Sequence, residues 1–227
     1  QERAGAALEA KGHWLLALGV LEDATRKPCL LLVAGPPGVG KSTLARGLAE
    51  RSGFEVIRSD VVRKQLAGLS PEASGVASFG EGIYTSDWTD RTYAECLRLA
   101  EALLFEGKRV IVDATFARDV QRITFLELAR KYGVAGIFVE LQASLDVVRD
   151  RVLQRSGDVS DAGPEIAERA FRQWEAPSDP MVRKRCLRIS AQNDAAAMVG
   201  EALDRLAREY GLHLLSQEGS ERSDPLR

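Results

Sequence analysis

The stretch Gly35-Pro36-Pro37-Gly38-Val39-Gly40-Lys41-Ser42 fits the pattern G-x-x-x-x-G-K-[ST] in full. An apolar run at 29–34 precedes it, and a helix-compatible pattern follows it. Its three glycines let the backbone turn tightly, so that N–H groups and the N-terminus of the next helix can bind phosphate oxygens. The alternative is a Gly/Pro-rich turn that contains Lys-Ser by coincidence, and the full match in this context disfavours it. The sequence therefore predicts a strand–loop–helix unit that binds a nucleoside triphosphate.

The residues of this phosphate loop are expected to act through both backbone and side chains. The backbone from Gly35 to Gly40 would surround the phosphates, and Lys41 would reach the β- and γ-phosphates. The Ser42 hydroxyl would ligate Mg²⁺, and the predicted nucleotide-binding set comprises the loop residues through Thr43 together with Arg151. The guanine-reading motif N-K-x-D is absent from the sequence, which disfavours a GTPase. The predicted ligands are ATP and Mg²⁺.

Composition narrows the class of protein. The chain has 227 residues and a formal net charge of -2, which does not favour a protein that coats nucleic acid. Its three cysteines lie far apart, without zinc or disulfide spacing, and this is typical of a reducing cytoplasm. The apolar segment 14–21 is too short to span a membrane. We therefore expect a cytoplasmic protein with no membrane partner.

Apolar runs alternate with helical patterns along the chain, which predicts an α/β fold with a parallel sheet of about five strands covered on both faces. The predicted strands are Leu30–Ala34, Phe54–Ile57, Arg109–Val112, Gly136–Leu141 and Cys186–Ser190. The predicted helices are residues 3–24, Lys41–Arg51, Asp60–Leu66 with Ser59 as N-cap, Ser86–Glu106, Val120–Tyr132, Leu145–Gln154, Glu165–Trp174 and Ala195–Tyr210. Residues 67–85 are predicted to form a mobile loop. Ligands of such sheets bind at the carboxyl ends of the strands.

Asp60 and Arg63 follow the second predicted strand and share one face of a short helix. At this edge of the sheet Asp60 could orient an acceptor hydroxyl and take its proton, and Arg63 could hold the acceptor's own phosphate or the moving phosphoryl group. The alternative is an Asp favoured by the helix N-terminus beside an exposed Arg. The place after the second strand favours the functional interpretation.

Asp113 ends the third predicted strand, in the general form of a Walker-B element whose carboxylate holds Mg²⁺. Many buried strands end in Asp, so this signal depends on its pairing with the phosphate loop. Thr115 and Arg118 follow it and could contact the acceptor, although a simple solvated charge at Arg118 fits equally well.

Three arginines crowd the helix after the fourth strand and the loop beyond it. Arg151 and Arg155 are four residues apart and share a face, with Arg149 close by. An arginine-bearing lid over the triphosphate would neutralise charge and exclude water, as a kinase requires. The alternative is a solvated basic face, with Asp146 and Asp150 as ion-pair partners. We favour the lid.

These segments together resemble a known group. GPPGVGKS, SDVVRK, the aromatic/Gly loop to Tyr84 with Thr92-Tyr93-Ala94, VIVDATF at 110–116 and the arginine helix leading to DVSDA at 158–162 resemble the kinase domains of the phosphate-loop class that are often labelled AAA family ATPases. The resemblance covers about residues 28–210. It implies a P-loop NTPase three-layer sandwich of the nucleoside/shikimate kinase type, related to gluconate kinase, chloramphenicol phosphotransferase and the kinase domain of bacteriophage polynucleotide kinase.

The resemblance also implies roles and a domain organisation. In the polynucleotide kinase domain an Asp with an Arg three residues on orients the acceptor 5′-hydroxyl, and Asp60 and Arg63 match that spacing. Domains of this kind often form the C-terminal half of a protein whose N-terminal half resembles an aminoglycoside phosphotransferase. The expected division is 1–27 as N-terminal helix or interdomain linker, 28–213 as kinase-like domain, and 214–227 as disordered tail. Asp113 is followed by Ala114 rather than by Glu, so a ring-shaped AAA motor is not expected.

The predicted function is Mg·ATP-dependent transfer of the γ-phosphoryl group to a hydroxyl acceptor. Lys41, Asp60, Arg63, Arg151 and Arg155 form the predicted catalytic set, and Ser42 and Asp113 the metal set. The acceptor is a small molecule or a nucleic-acid 5′-hydroxyl, although the global charge does not favour nucleic acid. One alternative is a regulatory or stress module that binds and slowly hydrolyses ATP. Another is a toxin-like kinase acting on a nucleotide sugar or an RNA end.

Overall fold

Five parallel strands form one sheet in the computed structural model, which describes residues 6, 10, 12–15, 17, 27–70, 82–154, 164–192 and 194–212. The strand order is β2-β3-β1-β4-β5, and every neighbouring pair is parallel. This confirms the predicted parallel sheet. The strands are β1 (Cys29–Ala34), β2 (Phe54–Arg58), β3 (Arg109–Asp113), β4 (Ala135–Gln142) and β5 (Cys186–Ser190).

Helices connect the strands and cover both faces of the sheet. Within the described ranges they are α1 (Lys41–Ser52), α2 (Ser59–Leu66), α3 (Ser86–Phe105), α4 (Asp119–Lys131), α5 (Leu145–Gln154), α6 (Pro164–Arg172), α7 (Pro180–Lys184) and α8 (Ala195–Tyr210). A short 3₁₀ helix, Gly82–Tyr84, precedes α3.

The core lies in two layers because side chains of a strand alternate between the faces of the sheet. Leu31 and Val33 of β1 face a cluster that includes residues from α1, α5 and α8. Leu30 and Leu32 face a second cluster that includes residues from α3 and α4. Both strand faces are buried, which explains why β1 is apolar without alternation. The three-layer sandwich is therefore confirmed.

The register brings the carboxyl ends of β1, β2 and β3 together. Asp113, the last residue of β3, pairs with Val33 of β1 on one side and with Arg58 of β2 on the other. β1 ends at Ala34, one residue after Val33, and the phosphate loop begins at Gly35. α2 begins directly after Arg58. The predicted site segments thus meet at one edge of the sheet.

Some local predictions were wrong. Ser59 is not the N-cap but the first residue of α2, and Arg58 takes the cap position without a side-chain hydrogen bond to the helix. The short helix α7 was not predicted, although Asp179 before Pro180 is a start signal and its carboxylate accepts from the N–H groups of Met181 and Val182. The part of the loop prediction at 82–84 is a 3₁₀ helix.

The structure describes part of the predicted N-terminal helix and none of the predicted C-terminal tail. Residues 6, 10, 12–15 and 17 are helical, as predicted for 3–24, and Leu15 is buried against the core. The predicted tail at 214–227, the DVSDA motif at 158–162 and Arg155 lie outside the described residues. In the part of the chain that the structure describes, no helix has both the length and the apolar character needed to cross a bilayer.

A buried arginine joins the loop after β3 to the segment after α6. The Arg122 guanidinium is fully buried, and it donates to the carbonyls of Phe116, Ala117 and Glu175 at 2.8, 3.1 and 2.7 Å. It also pairs with the Asp119 carboxylate at 2.7 Å. All of its charge is compensated in the interior, as a buried cation requires. We call Arg122 and Asp119 the interior ion pair.

Asp119 holds the other end of the same connection. Its second carboxylate oxygen accepts from the N–H of Ser178, the hydroxyl of Ser178 and the N–H of Asp179, all within 2.9 Å. Burial alone raises the pKa of Asp119, but these donors and Arg122 outweigh burial and lower its pKa to about 2. The interior ion pair therefore fixes the loop that follows Asp113 against the segment that follows α6.

The lowered pKa of Asp119 predicts a loss of stability in acid. Its contribution is complete above the ordinary pKa of 3.8 and disappears as the pH falls towards the folded-state value of about 2. Between pH 5 and pH 3 we expect the wild type to lose about 1 kcal/mol more unfolding free energy than Asp119→Asn does. Urea denaturation at both pH values measures this difference. Equal losses in the two proteins would contradict the assignment, and the exposed Asp204→Asn is the control that should behave as wild type.

Candidate active site

Gly35 starts the phosphate loop directly after β1, in a conformation that only glycine adopts easily. Its φ is +144°, and a Cβ on it would lie 2.8 Å from Cγ1 of Val39 and 3.2 Å from the Leu141 carbonyl oxygen. Its N–H donates to the Thr115 carbonyl at 3.2 Å. The loop is therefore tied at its start to the segment after β3.

Gly38 brings α5 against the phosphate loop. Its φ is +87°, and a Cβ would lie 2.7 Å from Val152 and 2.8 Å from Val148, both on α5. Because the missing side chain lets the two elements touch, the helix that carries Arg151 packs directly against the loop. The sequence pattern explained this glycine only by backbone freedom, whereas the structure adds close approach.

Two cationic side chains donate to carbonyl groups of the phosphate loop. Lys41 Nζ lies 2.9 Å from the Pro36 oxygen, and Arg151 Nη1 lies 3.2 Å from the Val39 oxygen. Lys41 comes from the first turn of α1 and Arg151 from α5, so the charges reach the loop from different elements. Both are partly buried, and together they place two positive charges at the loop, which favours the binding of an anion there.

Ser42 and Asp113 meet although 71 residues separate them. The Ser42 hydroxyl donates to Asp113 Oδ2 at 2.6 Å, and the carboxylate is only 5% exposed. Arg58 Nε lies 3.8 Å from the same oxygen. A hydroxyl and a carboxylate are hard oxygen ligands, and Mg²⁺ is often held by one or two such groups plus phosphate oxygens. These two residues fit a magnesium ion.

Asp60 lies between a lysine and a tyrosine. Its Oδ2 is 3.6 Å from Nζ of Lys64, one turn later in α2, and its Oδ1 accepts from the Tyr84 hydroxyl at 3.3 Å. The Lys64 side chain is fully buried, whereas Asp60 is 24% exposed. The carboxylate is therefore oriented from one side by a buried cation and reachable from another.

Arg63 points to the segment before α3. Its Nη1 donates to the Ile83 carbonyl at 2.7 Å, its Nη2 lies 3.5 Å from the Thr89 hydroxyl, and its guanidinium lies 5.2 Å from the centre of the Tyr84 ring. The side chain is only 9% exposed. Burial lowers the pKa of Arg63 from its ordinary value, and the nearby Tyr84 and Asp60 oppose that shift. Asp60 and Arg63 thus share one neighbour, Tyr84.

The other predicted residues have separate environments. Arg149 pairs with Glu168 of α6 at 2.6 Å and with Asp146 at 3.5 Å, so its contacts join two helices rather than reach the phosphate loop. Thr43 is half-buried in the first turn of α1, and Arg118 is exposed before α4. Arg155 lies outside the described residues.

Two further charged residues of the site were missed from the sequence. Lys64 could have been found from its spacing of four residues after Asp60, which places both on one face of a helix. Arg58 gives no such signal, because its approach to Asp113 depends on β2 and β3 being neighbours. Only the strand order shows it.

Buried cysteines do not supply a nucleophile. Burial raises the pKa of Cys29 to about 11 and that of Cys96 to about 12. A thiol of such high pKa is protonated at neutral pH and unreactive. The candidate functional groups near the carboxyl ends of β1, β2 and β3 are therefore hydroxyl, carboxylate, ammonium and guanidinium groups.

Relatives in sequence are known for part of the chain. An uncharacterised protein of Mycobacterium tuberculosis is 38% identical over 167 residues, which cover 74% of this chain and 33% of that protein. An adenylate kinase of Pyrococcus furiosus is 25% identical over 185 residues, covering 67% of this chain and 82% of the relative. The chain thus spans about a third of the length of its mycobacterial relative.

Solved structures share the fold. A gluconokinase from Sinorhizobium meliloti matches with a TM-score of 0.57 and 20% identity, covering 80% of this chain and 93% of its own. A sugar kinase from Janibacter matches with a TM-score of 0.58 and 17% identity, covering 79% and 94%. At these identities the comparison establishes a P-loop kinase-like fold.

The sequence of residues 30–180 matches one protein family, described as AAA domain. The match includes the phosphate loop, Asp60, Asp113 and Arg151, and it extends over well over half of the chain. This chain is a member of the AAA_33 family of AAA domains.

Proposed function

We propose that this chain is a P-loop kinase that transfers the γ-phosphoryl group of Mg·ATP to a hydroxyl acceptor. The observation that carries the proposal is the contact of Ser42, in the first turn of α1, with Asp113, the last residue of β3, together with Asp60 in α2, which begins directly after the neighbouring strand β2. A loop that only bound nucleotide would not need a second, partly exposed carboxylate just after β2. Asp60 supplies that carboxylate.

The phosphate loop and the cationic side chains that contact it would bind the nucleotide. Lys41 and Arg151 would exchange their loop carbonyls for phosphate oxygens and stabilise negative charge on the moving group. Ser42 and Asp113 would hold Mg²⁺, which when bound neutralises charge on the β- and γ-phosphates. Arg155 remains a proposed second lid arginine.

Asp60 would bind the acceptor. Its partly exposed carboxylate would accept a hydrogen bond from the acceptor hydroxyl, align its oxygen with the γ-phosphorus and receive its proton. Most of the rate gain would come from alignment and electrostatics, because the transition state is loosely bonded. The buried Lys64 would keep the carboxylate in one orientation.

The names of the relatives support the same general reaction. Gluconokinase, sugar kinase and adenylate kinase are all phosphotransferases by name, with different acceptors. Because the acceptors differ within one fold, the fold does not identify the acceptor here. We propose a hydroxyl of a small molecule or of a nucleic-acid end.

The proposal includes the domain organisation. We propose 28–213 as the catalytic domain, with 1–27 as helix or linker and 214–227 as tail. The matched part makes up 33% of the mycobacterial relative, so about two thirds of that protein lies outside the match. An N-terminal half resembling an aminoglycoside phosphotransferase in the full-length protein is part of this proposal.

The function is tested by ADP release from Mg·ATP across a panel of acceptors. The panel contains 5′-hydroxyl oligonucleotides, nucleosides, sugars and hydroxylated antibiotics. Stimulation by one class would establish a kinase and its substrate type. Slow release that no acceptor changes would instead favour a nucleotide-dependent regulatory module.

Asp60→Asn is expected to separate transfer from nucleotide binding. Removing the carboxylate should lower acceptor-dependent transfer by about 100-fold or more, because a positioned acid–base group contributes on this scale. The affinity for ATP, measured by calorimetry, should stay unchanged, since Asp60 lies outside the phosphate loop. The exposed Asp204→Asn is the matched control. Normal transfer by Asp60→Asn would show that the acceptor assignment is wrong.

A further inference from the structure

The Tyr84 hydroxyl lies where the proposed function requires the acceptor hydroxyl. It donates to Asp60 Oδ1 at 3.3 Å, while Lys64 lies on the side of the other oxygen at 3.6 Å. An acceptor that gives its proton to Asp60 must donate to the same carboxylate. The two hydroxyls therefore compete for one position.

Arg63 holds Tyr84 in that position. Its guanidinium faces the Tyr84 ring at 5.2 Å and donates to the carbonyl of the preceding residue, Ile83, at 2.7 Å. A cation on an aromatic face and a charge-assisted hydrogen bond act here on adjacent residues. With 9% exposure, Arg63 has little surface left to offer an acceptor.

The segment is also fixed from its other side. Thr85 is the N-cap of α3 and accepts from the N–H of Trp88 at 3.5 Å, and the Thr89 hydroxyl donates to the Thr85 carbonyl at 2.9 Å. Tyr84 thus lies between a capped helix and the Arg63 contact. Its orientation towards Asp60 is defined by both.

We propose that Tyr84 is a positioning residue that occupies the acceptor place at Asp60 until an acceptor displaces it, and that Arg63 acts through Tyr84 by holding it there. This inference rests on the proposed function. Its consequence is competition with water for this oxygen, because a water molecule bound to Asp60 would be an acceptor in its own right. An enzyme that leaves this place open consumes ATP without transfer.

The side reaction that Tyr84 suppresses is hydrolysis. The oxygen of a water molecule would form a bond to the γ-phosphorus, and the bond from that phosphorus to the β–γ bridging oxygen would break. ADP would leave with the electron pair, the proton of the water would pass to Asp60 and then to solvent, and inorganic phosphate would result. Water is the probe, so the test needs no knowledge of the natural acceptor.

Tyr84→Phe is expected to raise ADP release from Mg·ATP without acceptor. The increase should be about 3- to 10-fold, the effect of removing one hydrogen bond that competes with water. ATP affinity, measured by calorimetry, should be unchanged, and the additional release should disappear in the double variant Tyr84→Phe/Asp60→Asn. Tyr132→Phe is the matched control, since its hydroxyl also donates to a carboxylate, that of Glu101 in α3, and not to Asp60.

Arg63→Met is a second test, in which a rise or a fall of acceptor-free ADP release distinguishes two roles of Arg63. If Arg63 holds Tyr84, its loss should also raise acceptor-free ADP release by about 3-fold or more. If Arg63 instead stabilises the moving phosphoryl group, its loss should lower that release. Methionine keeps the apolar bulk of the buried side chain, and a thermal melt verifies folding.

The outcomes distinguish this inference from the proposed function. Unchanged or lower ADP release in Tyr84→Phe, with normal ATP affinity, would overturn the role of Tyr84 and leave the kinase proposal standing. A wild-type chain that binds no ATP would overturn both. Higher release in Tyr84→Phe that persists in the double variant would also overturn the inference, because the water would then not be acting at Asp60.

Discussion

Lys41→Ala is expected to lower ADP formation from Mg·ATP by about 100-fold or more, the scale on which removal of one preorganised charge donor acts. The ammonium group lies 2.9 Å from the Pro36 carbonyl and is therefore already directed into the phosphate loop. Alanine leaves the glycine turns of the loop intact, so the loss comes from charge and not from shape. Rates of ADP release at saturating ATP measure it.

Lys108→Ala is the matched control for this variant, because Lys108 is exposed and lies in the turn before β3. It should retain the wild-type rate. If Lys41→Ala released ADP as fast as Lys108→Ala, the activity would not arise at the phosphate loop, and the proposed nucleotide site would be wrong.

Arg122→Met is expected to cause the largest loss of stability, about 3–5 kcal/mol of unfolding free energy. Methionine can fill the space between the rings of Phe138 and Trp174, which lie 4.8 and 4.7 Å from the guanidinium. It leaves the buried Asp119 without its cation and removes the guanidinium donors of three backbone carbonyls, of which the Ala117 carbonyl still accepts from the N–H of Glu175. Urea denaturation followed by tryptophan fluorescence measures the change.

The control is Arg98→Met, which breaks an exposed two-point pair with Glu95 on the surface of α3. Exposed pairs contribute little, so this variant should change stability far less than Arg122→Met. Equal effects of the two substitutions would mean that the interior ion pair does not stabilise the fold. Because both variants replace arginine by methionine, the difference between their unfolding free energies measures the effect of burying the ion pair.

Much of the site was predictable because its signals are local. The phosphate loop was recognised from glycines at fixed spacing and from Lys41 and Ser42 directly behind them, all within eight consecutive residues. The alternation of strands and helices predicted the parallel sheet, which the structure confirms. Asp60 and Asp113 were predicted as site residues because they lie where strands end, and the ends of parallel strands meet at one edge.

Other features could not be predicted because they depend on which elements are neighbours. Arg149 and Arg151 are two residues apart and therefore lie on different faces of a helix, but the partner of neither was predictable. Arg149 contacts Glu168 of α6, and Arg151 contacts Val39 of the phosphate loop. These partners follow from the packing of α5 on the loop and on α6.

Short-range patterns in the sequence were sufficient to predict the phosphate loop, the class of fold, and Asp60 and Asp113 as carboxylates near the ends of β2 and β3. The contact of Arg58 with Asp113, the enclosure of Arg122 with Asp119 and the hydrogen bond of Tyr84 to Asp60 are visible only in the folded protein. The contacts of Arg58 and Tyr84 join residues from different elements, and the Arg122–Asp119 pair, although both residues lie in α4, is enclosed by the segment after α6. Their formation depends on strand order and helix packing, which the whole chain settles through the burial of its core.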